Sequence, residues 1–173
     1  MIGHIKVKGR DIALVGNMLE TGKKAPAWQL TNIQMNEVSL DHYRGHLIIL
    51  ATMPSLDTAT CSLEAMRFNT QASLLSNKIK IIVVSKDLPF TQAKWCQAKN
   101  ANNIITLSAY KNNTFAKAYG VLLKDIELLA RAIFIINEEG IIKYIQYVKH
   151  LADEPDYDSV LQAAQELIQE KTL

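Results

Sequence analysis

Residues 46–85 read HLIILATMPSLDTATCSLEAMRFNTQASLLSNKIKIIVVS. The first eight, His46 to Met53, are nearly all apolar, as expected of a central strand covered on both faces. Lys78 to Ser85 is a second such run, and between the two Ala65, Phe68, Ala72 and Leu75 recur at helical spacing. Strand, helix and strand in that order imply a right-handed parallel crossover. The loop from Pro54 to Thr60 then leaves the C-terminal edge of a central strand, where open α/β sheets place their ligands, and Cys61 stands at the start of the helix that follows.

Working outward, Ile5 and Val7 precede Lys8-Gly9-Arg10-Asp11, and Ile12, Leu14 and Val15 follow it, which predicts an N-terminal β-hairpin around a glycine turn. An extended piece should run from Trp28 to Leu40. Asp87 is placed to cap a helix that carries Pro89 in its first turn and Cys96 further along. A short strand is expected over 104–107, a short helix over 115–119, and two strands over 132–136 and 141–148 around the turn Asn137-Glu138-Glu139-Gly140. A last helix over 157–170 should face inward with Val160, Ala163, Ala164, Leu167 and Ile168. The whole predicts one α/β domain over residues 1–173: a central mixed sheet flanked by helices, with an N-terminal hairpin. A thioredoxin-like fold fits that order.

Composition bounds the function. With 49% hydrophobic residues in 173, the chain can bury a sizeable core. Its 19 basic residues are scattered and the net charge is only +2, which argues against a nucleic-acid footprint. No run of about eighteen apolar residues occurs, and the N-terminus lacks the apolar stretch of a signal peptide. A soluble, cytoplasmic chain without membrane contact is the expectation. The two cysteines, Cys61 and Cys96, are too few for a disulfide scaffold and wrongly spaced for zinc; His42 and His46 are separated by Gly45, which interrupts any helix that could align them on a metal. No metal or cofactor is expected.

Cys61 has two readings. A free cysteine is often a small buried hydrophobe; one at a helix N-terminus can instead be a reactive thiolate, because the dipole and unpaired N–H groups favour negative charge. Pro54 can end the strand or fix the loop's direction, and Thr58 can cap the helix or donate to the sulfur or to a substrate oxygen. Arg131 opens the otherwise apolar run ARAIFII, where a charge needs a nearby partner. Cys96, beside Trp95, reads by itself as a packed helix residue.

Pro54, Thr58 and Cys61 in PSLDTATC match the P-x-x-x-T-x-x-C pattern of the peroxiredoxins, and PSLDT, C and RFN together resemble the thiol peroxidase subfamily, the atypical two-cysteine type. The resemblance continues in order through DLPF (87–90) with Trp95-Cys96, ITLS (105–108), AYGV (118–121), LARA (129–132) and EPDY (154–157). It spans nearly the whole chain. The resemblance implies a thioredoxin-like fold and a cysteine-based hydroperoxide reductase without metal or haem, recycled by thioredoxin and assembled as a homodimer. Carried over position by position, Cys61 resembles the peroxidatic cysteine, Cys96 the resolving cysteine that joins it in a redox-active disulfide, Thr58 and Pro54 the motif threonine and proline, and Arg131 the active-site arginine. Ala59-Thr60 departs from the pattern, which carries a proline and an aliphatic residue there.

The chemistry accounts for these residue types. Reducing a hydroperoxide needs a thiolate to attack one oxygen while the other leaves with negative charge, and a permanently charged arginine can donate to both. The resulting sulfenic acid condenses with a second thiol. Since a disulfide needs Cα atoms within about 7 Å and the cysteines fall on separate predicted helices, one or both should unwind in turnover. A non-catalytic redox switch would use the same pair, and turnover with thioredoxin separates the two readings. A thioredoxin-type dithiol oxidoreductase is disfavoured, since the chain has no C-x-x-C.

Overall fold

In a computed structural model, which describes residues 1–171, ten strands and four α-helices follow one another. They are β1 (His4–Val7), β2 (Arg10–Val15), β3 (Gln29–Asn32), β4 (Glu37–Ser39), β5 (Leu47–Thr52), α1 (Ala59–Leu74), β6 (Ile79–Ser85), α2 (Pro89–Lys99), β7 (Ile105–Ser108), α3 (Thr114–Ala118), β8 (Leu122–Leu123), β9 (Ala132–Ile136), β10 (Ile142–Tyr147) and α4 (Tyr157–Glu170). A 3₁₀ turn, Leu40–Tyr43, separates β4 from β5. The fold is the mixed, thioredoxin-like α/β arrangement the sequence predicts.

Seven strands form one sheet in the order β10-β9-β5-β6-β7-β3-β4. The crossover through α1 pairs β5 with β6 in parallel, Leu47 against Ile79 through Thr52 against Val84. A second crossover through α2 sets β7 parallel to β6. β9 lies antiparallel on the other side of β5, with Ala132 opposite Thr52, so the start of β9 meets the C-terminal end of β5.

All six residues of β5 are buried, and the period-2 alternation of a strand sorts them between two cores. Ile48 and Leu50 face Trp28, Phe115, Tyr119 and Leu14; Leu47, Ile49 and Ala51 face Ala65 and Phe68 of α1 and Val160 and Ala164 of α4. That is why the run is nearly all apolar. Cys61 belongs to the second core.

The N-terminal hairpin turns through Lys8 and Gly9, both at positive φ, and gains β8 as a third strand. It also supports the site from behind. Lys6 N–H donates to Lys149 O (2.8 Å) and Leu151 N–H to Lys6 O (2.9 Å), which fixes the segment whose carbonyl receives Arg131. At Gly120, φ is +61° and a Cβ would lie 2.4 Å from Asn17 O, so the AYGV string needs its glycine for a close backbone approach.

The extended piece expected over 28–40 is two strands, β3 and β4, joined by a turn that Asn32 organises by accepting from Gln34 N–H and Asn36 N–H. Asp87 does not cap α2. Leu88 occupies the cap position, Pro89 opens the helix, and the Asp87 carboxylate turns back towards the loop after β5. Among the described residues no helix is long and apolar enough to cross a membrane.

Candidate active site

The chain leaves β5 at Thr52, passes through the buried Met53 and Pro54, and enters α1 at the cap residue Thr58. Thr58 Oγ accepts from Cys61 N–H at 3.3 Å and donates to Ser55 O at 3.1 Å, so it ties the first turn of the helix to the loop before it. Cys61 lies in that first turn, 1% exposed, where the helix dipole favours an anion.

Arg131 approaches from the start of β9 and is also 1% exposed. Its Nη2 donates to Cys61 Sγ at 3.5 Å and to Leu151 O at 2.9 Å, while Nε donates to the same carbonyl at 3.3 Å. Its Nη1 forms a salt bridge with Glu64, one turn after Cys61 on α1. The charge that the apolar run ARAIFII left without a visible partner is thus matched by a fully buried carboxylate, which reading by sequence missed. Burial opposes the charge on Arg131, but Glu64 and Cys61 outweigh it and hold the guanidinium above its ordinary value. Burial pushes Glu64 up to about 7, against the pull of Arg131, with Glu154 adding to the rise. Glu64 Oε1 is buried with no hydrogen-bond partner among the described residues.

Cys96 stands apart from this cluster. It is half-buried in α2 with its Sγ 3.6 Å from Thr106 Oγ, and burial pushes its thiol up, opposed by the Thr106 hydrogen bond. Both cysteines are free thiols. The structure therefore brings Cys61, Thr58 and Arg131 together, with Pro54 in the loop from β5 to α1, and leaves Cys96 on a neighbouring helix. One side-chain bond links the two cysteine segments: Trp95 Nε1–H donates to Ser62 Oγ at 3.0 Å.

The strings flanking the site pack on one another. Arg67 lies 4.1 Å over the Tyr157 ring and 3.7 Å from Glu154, Phe68 meets Tyr157 edge-on at 5.5 Å, and Asn69 accepts from Asn103 N–H. Arg67 and Phe68 of RFN and Glu154 and Tyr157 of EPDY thus form one contact that fixes α1 against the start of α4, while Asn69 ties α1 to Asn103. At the departure from the family pattern, Thr60 Oγ donates to Ala152 O at 3.3 Å, a tie across the cleft beside the helix start that an aliphatic residue could not make. Among the described residues no three His, Cys, Asp or Glu side chains come together to hold a metal ion.

A buried cysteine in the first turn of a helix, faced by a guanidinium at the C-terminal end of a thioredoxin-like sheet, defines a thiol-chemistry protein of the peroxiredoxin class. Residues 21–145 match the AhpC/TSA family, and the chain belongs to it. A thiol peroxidase of Listeria innocua is 38% identical over 161 residues, 93% of this chain and 97% of its own. One of Bacillus subtilis is 34% identical over 167 residues, 96% and 99% of the two chains. Among solved structures, a peroxiredoxin-like protein of Aquifex aeolicus superposes with a TM-score of 0.89 at 33% identity, covering 96% of this chain and 98% of that one. A thiol peroxidase of Chromobacterium violaceum shares the fold with a TM-score of 0.85 at 21% identity, covering 98% of each chain. The chain is an enzyme of the peroxiredoxin-type peroxidases.

Proposed function

We propose that the protein reduces hydrogen peroxide and organic hydroperoxides to water and alcohols by a two-cysteine cycle that thioredoxin completes, as an antioxidant enzyme of the cytoplasm working as a homodimer. The observation that carries this reading is the 3.5 Å contact of Arg131 Nη2 with Cys61 Sγ in a buried first helical turn. The Cys61 thiolate attacks one peroxide oxygen; the S–O bond forms, the O–O bond breaks, and the second oxygen leaves with the electron pair and takes a proton. Arg131 donates to the sulfur and, as charge develops, to the oxygens. The Cys96 thiol then attacks the Cys61 sulfenic acid, water leaves, and the disulfide passes to an external dithiol.

The test is stopped-flow oxidation followed by peptide mass spectrometry. Wild type should consume peroxide far faster than a free thiol and lose two hydrogens within a linked Cys61–Cys96 peptide. Oxidation no faster than free thiol, or linkage between chains only, would exclude the cycle. A coupled thioredoxin assay separates the enzyme from a redox switch that oxidises without turning over.

The second step needs α2 to yield. Its buried side chains are Pro89 and Gln92, near its start, and Gln92 Nε2–H donates to Leu107 O (2.9 Å) and Ser85 Oγ (3.1 Å). Residues 93–99 are half-buried or exposed, so the end of the helix that carries Cys96 is the cheaper part to unwind. The Trp95–Ser62 bond resists that motion. Removing one such bond, worth about 1 kcal/mol, in Ser62→Ala should accelerate disulfide formation roughly fivefold and leave the first oxidation unchanged. Unchanged resolution in Ser62→Ala would show that the bond is no brake.

A further inference from the structure

Asp87, which reads in sequence as a helix cap, spends its carboxylate elsewhere. Oδ1 accepts from Ser55 Oγ–H at 2.7 Å, and Oδ2 accepts from Leu56 N–H at 2.8 Å and Ser85 Oγ–H at 2.7 Å. Asp87 is itself fixed to the sheet: Ser108 Oγ–H donates to its carbonyl, and Ser85, the last residue of β6, holds the carboxylate from the other side. Ser85 is held in turn by Gln92 Nε2–H.

The bonds continue towards the nucleophile. Ser55, gripped by Asp87, presents its carbonyl to both Thr58 N–H and Thr58 Oγ–H, each at 3.1 Å, and its own Oγ accepts from Asp57 N–H at 3.1 Å. Thr58 Oγ then accepts from Cys61 N–H at 3.3 Å. An unbroken line of hydrogen bonds thus runs from the ends of β6 and β7 through Asp87, Ser55 and Thr58 to the amide of Cys61. The guanidinium that faces the sulfur comes from the start of β9 and is held by Leu151 O and by Glu64 of α1. The turn held by Asp87 and the guanidinium held by Leu151 and Glu64 must keep register for the sulfur, Thr58 and Arg131 to act on one peroxide oxygen, and a misplacement of about 1 Å can cost about 100-fold in rate.

We infer that Asp87 is the positioning residue of the peroxidatic loop, setting the Thr58–Cys61 turn against Arg131 through Ser55. The inference rests on the proposed peroxidase reaction. Asp87 touches no reacting atom, so its effect is on the geometry of attack.

The experiment is single-turnover oxidation of wild type, Asp87→Ala, Asp87→Asn, Ser55→Ala and the Asp87→Ala/Ser55→Ala double variant, each with its Cys61 thiol titrated. Asp87→Ala should oxidise about 30- to 100-fold slower at full amplitude. Asp87→Asn, whose amide keeps an acceptor and can donate to Ser55 Oγ, should come within about fivefold of wild type. Ser55→Ala should lose about tenfold, and because both residues act on one line, the double variant should be no slower than Asp87→Ala alone. General damage to the fold would instead lower the reactive fraction and add the two losses. Additive losses, reduced amplitude at an unchanged rate, or a wild-type rate in Ser55→Ala would each overturn the assignment. A wild type that does not consume peroxide would sink the peroxidase reading itself, a separate outcome.

Discussion

Cys61→Ser is expected to abolish catalysed peroxide consumption, a loss of at least about 1,000-fold, while Cys96→Ser completes one oxidation at the wild-type rate and then stops. The first expectation follows from the nucleophile. A serine hydroxyl in the same turn would sit opposite the same guanidinium but supply no anion capable of attack at neutral pH. Cys96 cannot substitute for it: its thiol is pushed up by burial and bonded to Thr106, and Arg131 is committed to Cys61, Glu64 and Leu151. The second expectation follows from the separation of roles. With Cys96 gone, nothing within the chain condenses with the sulfenic acid, and a second peroxide carries it to the sulfinic acid. Stopped-flow traces and intact mass measure both. Comparable first-turnover losses in the two variants would mean that the cysteines act together in the attack, contrary to the arrangement described here.

How much of this was legible in the sequence depended on which interaction shaped each segment. The 46–53 run announced β5, because a strand buried on both faces must be nearly all apolar, and 157–170 announced α4 through its one apolar stripe, although its cap, Asp156, was not singled out. The turn between β3 and β4 stayed hidden: it uses neither glycine nor proline, but the Asn32 side chain and Met35 at φ +65°. β8 is two residues long and forms where β2 offers it an edge and Leu129 bridges Leu122. At the site, Cys61, Thr58 and Arg131 were named from their motif and meet in space, and Asp87 was noticed and assigned to the wrong neighbour. Glu64 was missed although its signal was present. Cys61, Glu64, Ala65 and Phe68 fall on one helical stripe, so a carboxylate on that stripe had to find a buried cation, just as Arg131 had to find a buried anion. Neither demand points to the other until β9 is laid against β5.

That pair makes Arg131→Met the other large effect. Loss of the donor that faces both the sulfur and the leaving oxygen should slow the first oxidation about 100-fold or more, as for the loss of one oxyanion donor. Stability should change with pH in a way that identifies Glu64. Burial raises the Glu64 carboxyl from 4.5 to about 7, and the charge and hydrogen bond of Arg131 keep it from going higher. A folded-state value above the unfolded one means that stability is fully present below about 4.5, falls as pH rises, and levels off above the folded value, at about 1.4 kcal/mol for each pH unit in between. Wild type should therefore stop losing stability on this account above about pH 7. Without Arg131 the carboxyl holds its proton to higher pH, so the variant should run parallel to wild type between about pH 4.5 and 7 and diverge only above that. Cys61, Glu154 and Tyr157 also face this charge, so the Glu64 share is isolated in an Arg131→Met/Glu64→Gln background. There the divergence above pH 7 should shrink while the loss of oxidation rate remains. Denaturant unfolding at pH 6 and pH 9 reads the first and stopped flow the second. A divergence that survives Glu64→Gln undiminished would show that the buried carboxylate is not what Arg131 holds in place.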